Sequence, residues 1–142
     1  MENDHLPRNK ESTIQLVNGY LFDAFKPDFS VVDLKSIATG CSNKGRFCGQ
    51  TKSFYSVLEH QINVGLFMYW KNHGHGSVIN ALIGHHHDDS EGVMADIPTP
   101  TKVQPEFEFW VKLEDRVQEG LYKKYVGIGN LLNYEKELLK EA

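Results

Sequence analysis

The chain has 142 residues, 40% of them apolar and 24% charged, with 15 basic against 19 acidic side chains and a formal net charge of -4. That is enough for one compact domain with its own core and too little for two, and the acidic balance excludes a generic nucleic-acid-coating surface, which is strongly basic. No apolar run of about 18 residues is present to cross a bilayer, and Glu2, Asp4 and Arg8 stand where a signal peptide would be apolar.

The sequence therefore reads as a soluble, cytoplasmic protein in which any anionic ligand must meet a local positive patch. Cys41 and Cys48 form neither a C-x-x-C pair nor a zinc-knuckle spacing and read as reduced thiols. The seven histidines, three of them consecutive, stand out.

In chain order, Asn18-Gly19 between two short apolar runs predicts a small β-hairpin over about residues 13–25, with Pro27 and Asp28 ending it. Ser30 followed by Asp33 reads as a capping box opening a short helix to about Thr39, closed by Gly40. Residues 41–53 are polar and basic, with Lys44, Arg46 and Lys52, and predict a loop able to face an anion. From Phe54 to about Asn72 the spacing of Leu58, Ile62, Leu66 and Tyr69 predicts a half-buried helix carrying His60.

A turn at Gly74 and Gly76 leads through Ser77 into a second helix, on which Ile79, Ile83 and His87 share a face. Gly92, Pro98 and Pro100 end it, and Pro105 opens a third helix with the stripe Trp110, Leu113, Val117, Leu121 and Tyr125, stopped by Gly127 and Gly129. Glu106, Lys112, Glu114, Asp115 and Arg116 read as its solvated face with local ion pairs. A fourth amphipathic helix runs from Leu131 through Leu138 and Leu139.

The segment His85-His86-His87-Asp88-Asp89, followed by Glu91, carries the chemistry. Imidazole and carboxylate are common ligands of catalytic divalent metals, and adjacent residues at a helix end can both turn toward one ion. His60 on the preceding antiparallel helix can supply a second imidazole. Glu91, four residues beyond His87, falls one turn further on, where a general acid or base belongs. The plainer readings are a satisfied core histidine at His60, a helix-end carboxylate at Glu91 and solvated cations at Arg46 and Lys102. His85 and His86 read as packing residues or as residues supporting the ligands from behind, and an internal histidine run is not an expression tag.

Four blocks then carry a resemblance: Arg46-Phe47, Ser56-Val57-Leu58-Glu59-His60, His87-Asp88-Asp89-Ser90-Glu91 and Asp96-Ile97-Pro98-Thr99-Pro100-Thr101-Lys102. Their order and spacing, from about Gly40 to Lys102, resemble the HD-domain 5′-deoxynucleotidases of bacteria and related phage-type deoxynucleotide (dATP) phosphohydrolases. The resemblance implies a single all-α HD domain with a small N-terminal hairpin, working in the cytoplasm of a bacterial or phage-infected cell. It implies metal ligands at His60, His87 and Asp88, for Zn, Co, Mn or Mg, and catalytic roles for Glu91 and Arg46. Substrate contacts are implied at Arg46, Phe47, Asp96, Ile97, Pro98, Thr99 and Lys102. Phe47 stands where some members carry Trp. The implied partner is a nucleotide, with no nucleic-acid polymer and no membrane, in a homo-oligomer.

In the family a fourth metal ligand is an aspartate on a later helix, in a setting like Lys-x-Ala-Asp. Here the sequence ends at Lys140-Glu141-Ala142, so the last helix reads as truncated just before that position, with Asp115 as the downstream alternative. The expected function is a metal-dependent phosphohydrolase acting on a 5′-mono- or triphosphate, Lys102 favouring more than one phosphoryl group. The alternatives are an HD-fold nucleotide-binding or regulatory protein without turnover, and an interaction module with structural histidines.

Overall fold

The computed structural model describes residues 13–71, 77–128, 131 and 133–142, and shows an all-α protein with a small N-terminal hairpin. The turn expected at Gly74 and Gly76, the stop at Gly129 and the terminal residues Glu2, Asp4 and Arg8 lie outside the described residues. No described helix is long and apolar enough to cross a membrane.

Strands β1 (Thr13–Gln15) and β2 (Leu21–Asp23) pair antiparallel with Ile14 opposite Phe22. The turn is longer than a two-residue Asn-Gly hairpin. Leu16 leaves the strand to enter the core, and its carbonyl accepts from the Gly19 amide at 2.9 Å and its amide donates to Tyr20 at 2.8 Å. Gly19, at φ +89°, takes the left-handed position that favours glycine.

Helix α1 (Leu34–Ser42) corrects the expected capping and stop. Asp33, not Ser30, caps it, accepting from the Ser36 amide at 2.7 Å, while Asp28 caps a separate 3-10 turn at Phe29–Val31. Gly40 lies inside the helix because α4 (Asp89–Val93) crosses there: a Cβ on Gly40 would stand 1.9 Å from the Gly92 carbonyl oxygen. Gly92 likewise lies within α4 rather than ending a helix.

Helices α2 (Val57–Lys71) and α3 (Val78–His86) lie side by side at glycine contacts, a Cβ on Gly84 meeting the Gly65 Cα at 2.8 Å. That approach rotates both stripes from expectation. The buried face of α2 is Val57, Gln61, Val64, Gly65 and Met68, leaving Ile62 and Leu66 exposed. On α3 the buried residues are Asn80, Ile83 and Gly84, and Ile79 is exposed. Helix α3 starts just after Ser77 as the sequence suggests, and Ser77 caps it, accepting from the Asn80 amide.

A short α5 (Thr99–Lys102) and a 3-10 turn at Pro105–Phe107 precede α6 (Glu108–Tyr125), whose Leu113, Val117, Leu121 and Tyr122 are buried. Trp110 and Tyr125 are only partly buried. Helix α6 joins two apolar clusters, one with Phe22, Val32, Ile37, Cys41 and Val57, the other with Val64, Met68 and Ile83. Gly127, at φ +79°, ends α6, and α7 (Asn133–Glu141) returns Leu138 to the second cluster. The supposed solvated face of α6 does more than expected: Arg116 donates to the carbonyls of Ala24 and Phe25, tying the helix to the hairpin. Lys112 and Glu108 form the simple i, i+4 pair anticipated there.

Candidate metal centre

Helix α3 stops at His86, one residue before it would carry His87 around another turn. His87 caps its end and Asp88, at φ -116° and ψ 22°, breaks the chain direction before α4 begins. The break turns two adjacent side chains to one side. It also corrects the placement of Glu91, which stands on the separate helix α4 and not one turn further along α3.

His60 reaches the same point from α2. Nε2 of His87 lies 3.2 Å from Nε2 of His60 and 3.1 Å from Oδ2 of Asp88, and His60 lies 3.6 Å from the same oxygen. The ligand atoms of His60, His87 and Asp88 all lie within 4.8 Å of one another, so the three can hold a metal ion. Nδ1 of His87 sits 2.6 Å from the Gly84 carbonyl oxygen. A carbonyl only accepts, so Nδ1 carries a proton, which leaves Nε2 as the ring atom that a metal could take. Two imidazoles with one carboxylate, their ligand atoms this close together, suit a divalent metal. Among the described residues no fourth ligand joins the group. Asp115 instead borders a neighbouring cavity of about 300 Å³ that also touches His87.

The electrostatics fit the same use. Burial, with Arg46 and His87 beside it, pushes His60 down to about 4, so its ring is neutral near pH 7. Burial works to raise Asp88, but the His87 ring, His60 and Arg46 hold it below the usual carboxylate range. Glu91 goes the other way: burial, then the charges of Asp88 and Asp96, push it up to about 8.

Beside the metal corner opens a cleft of about 430 Å³, lined by Arg46, Phe47, Asp88 and Glu91 on one side. Asp96, Ile97, Pro98, Thr99, Pro100 and Lys102 complete it, so every residue named from the sequence as a substrate contact meets the same space. Arg46 is aimed by short pairings: Gly45 bridges to Ser56, the Arg46 amide donates to Tyr55 at 2.9 Å, and Val57 donates to Lys44 at 3.0 Å. The guanidinium then stands 3.6 Å from Asp88 and over the Phe47 ring. Phe47 and Cys48 both have positive φ, 54° and 53°, a strained backbone of the sort held only where its surroundings over-determine it.

Of the supports behind these groups the sequence suggested only His86, and it missed Asp89, Gln118, Lys44 and Glu114. Asp89, 2% exposed, accepts from Gln61 at 2.9 Å and meets Nδ1 of His86 at 2.6 Å, while His86 stacks on Tyr125. Gln118 clamps the break from α6, donating to the His86 carbonyl at 2.5 Å and accepting from the Ser90 amide at 2.9 Å. Lys44, read only as a loop cation, is half-buried and donates to the carbonyls of Glu91 and Met94. Glu114, read as a solvated residue, accepts from Lys102 through both oxygens at 2.7 Å. The acid at Asp89, next to the histidine run, was the one signal available; Gln118 and Glu114 lie about thirty residues away on another helix, where no local pattern marks them.

No family model matches the chain, and no curated protein matches it. The functional reading therefore rests on the site itself.

Proposed function

We propose that the protein is a metal-dependent phosphohydrolase of the HD type, cleaving a phosphate ester or anhydride of a (deoxy)nucleotide. The observation that carries the reading is the meeting of His60, His87 and Asp88 at the edge of a cleft that also holds Arg46 and Glu91. Zn, Co, Mn or Mg bound there would lower the pKa of a coordinated water from about 16 toward about 7, furthest for Zn, and so supply a nucleophile nearer neutral pH.

The chain's own residues supply the rest. Hydrolysis of a phosphate ester asks for charge neutralisation and alignment more than covalent help. Arg46 offers a planar fork of donors to phosphoryl oxygens. Glu91, buried and held near neutrality, is suited to pass a proton to or from the reacting oxygens around pH 7. Asp96 accepts a hydrogen bond from a ribose hydroxyl or the base, and the exposed Phe47 ring offers an apolar face to the sugar. With Glu91 holding its proton near pH 7, Arg46 and Lys102 only offset Asp88 and Asp96, so a divalent ion would supply the positive surplus that draws in an anionic substrate.

A screen of nucleoside mono- and triphosphates with Mn, Co, Zn or Mg tests the proposal. We expect release of phosphate or polyphosphate that stops on chelation. In Glu91→Gln the rate should fall by about 10² to 10⁴ with metal content retained. Turnover indifferent to chelation, or untouched in Glu91→Gln, would sink it. The three-ligand set supports one rival, a nucleotide-binding protein without turnover. That rival is chosen if nucleotides raise the melting temperature in every metal and none is hydrolysed.

A further inference from the structure

The expectation that Lys102 serves an additional phosphoryl group meets an obstacle on α6. Both oxygens of Glu114 lie 2.7 Å from the Lys102 ammonium, which is also 3.6 Å from Oε1 of Glu91. The Glu114 side chain is 12% exposed and that of Lys102 20%, so water screens the pair weakly. Pulling Lys102 onto a ligand would leave Glu114 as an unpaired, largely buried carboxylate, which costs more than one new ionic contact returns.

Charge counting leads the same way. Arg46, Lys102 and a divalent ion bring four positive charges; Asp88, Glu91 and Asp96, with Glu114 behind Lys102, bring four negative ones when ionised. Whether or not Glu91 is ionised, the positive surplus is one charge at most, and such a site accommodates one phosphoryl group of about -2 far better than a triphosphate carrying roughly twice that charge.

We infer that Glu114 is a specificity-determining residue, which holds Lys102 against Glu91 and off the phosphate chain, so that the cleft selects nucleoside 5′-monophosphates over triphosphates. The inference rests on the reading of this site as a metal-dependent nucleotide phosphohydrolase. Glu114 acts through Lys102 and touches no reacting atom.

The experiment compares kcat/KM for the four deoxynucleoside monophosphates and the four triphosphates in the wild type, Glu114→Gln, Lys102→Met and the double variant. Melting temperatures with each nucleotide are recorded alongside. The wild type should prefer monophosphates. Glu114→Gln should shift the ratio toward triphosphates by about tenfold, the worth of one freed charge-assisted contact. That shift should vanish in the Lys102→Met background, a dependence that a merely structural Glu114 would not show. A wild-type preference for triphosphates, an unchanged ratio in folded Glu114→Gln, or a shift that survives removal of Lys102 overturns the inference. If no form hydrolyses any nucleotide, the proposed function fails by itself. The melting temperatures then decide this inference: triphosphate stabilisation that rises in Glu114→Gln and disappears with Lys102→Met supports it, and equal stabilisation throughout overturns it. Should Glu114→Gln fail to fold, Glu114→Asp is the substitute; its shorter side chain must weaken the hold on Lys102 and move the ratio the same way.

Discussion

The metal corner and the adjoining cleft are neighbours built by different means. His60, His87 and Asp88 are fixed by backbone: α2 and α3 touch through Gly65 and Gly84, and the α3–α4 break is clamped by Gln118. The cleft is fixed by side chains. Arg46 sits on a loop with two strained residues, and Lys102 rides a four-residue helix and is held by Glu114. Geometry of the first kind is destroyed by a single methyl group, whereas geometry of the second kind is tuned by single charges.

The largest effect should follow from removing a ligand. His87→Ala leaves His60 and Asp88 alone, and its loss of metal affinity should exceed the roughly 10- to 100-fold typical of losing a residue behind the ligands. Metal content after gel filtration, measured by elemental analysis, checks this. A variant that keeps its full metal content would remove His87 from the ligand set.

Next comes the backbone itself. Gly40→Ala drives a Cβ into the Gly92 carbonyl, within the helix that carries Glu91. Overpacking of this sort costs about 1–3 kcal/mol, occasionally more. Urea unfolding should show it as a lower midpoint at unchanged slope. A midpoint equal to wild type would mean that α1 and α4 separate freely.

The same contrast explains what the sequence disclosed. Residue type pointed to the metal corner, because a histidine run followed by acids puts imidazole and carboxylate ligands at one place, and Ser77 and Gly127 marked helix ends. Spacing misled where tertiary contact overruled it. Gly40 and Gly92 look like stops but are crossing points, and apolar Ile62, Leu66 and Ile79 face outward because glycine contacts set the rotation of α2 and α3. Apart from the His86 ring three positions from Asp89, the supports at Asp89, Gln118, Lys44 and Glu114 have partners 28 to 50 positions away, or 12 for Glu114 and Lys102. A local pattern carries no trace of such pairs.

On the cleft side the expected effects are smaller. Arg46→Lys keeps the charge but loses the planar fork, so KM for the nucleotide should rise about tenfold with metal content unchanged. Loss of metal in this variant would place Arg46 in the support of Asp88 and blur the division between the two regions.

The smallest expected effect is a dependence of stability on pH in the metal-free protein. Glu91 moves from an ordinary 4.5 to about 8 on folding, so between these values the folded state keeps a proton the unfolded chain has released. Stability therefore declines as pH rises through that window. His60 moves from 6.5 down to about 4, so its contribution is lost as pH falls through its own window. Below pH 6.5 the two oppose each other, and from 6.5 to 8 Glu91 acts without His60. The melting temperature of chelated protein should decline across that upper interval, and Glu91→Gln should flatten the decline. Adding a divalent metal should do the same in the wild type, because positive charge beside Asp88 offsets one of the carboxylates that hold Glu91 up. An identical slope in wild type and Glu91→Gln would place the decline in another group and leave Glu91 an ordinary carboxylate.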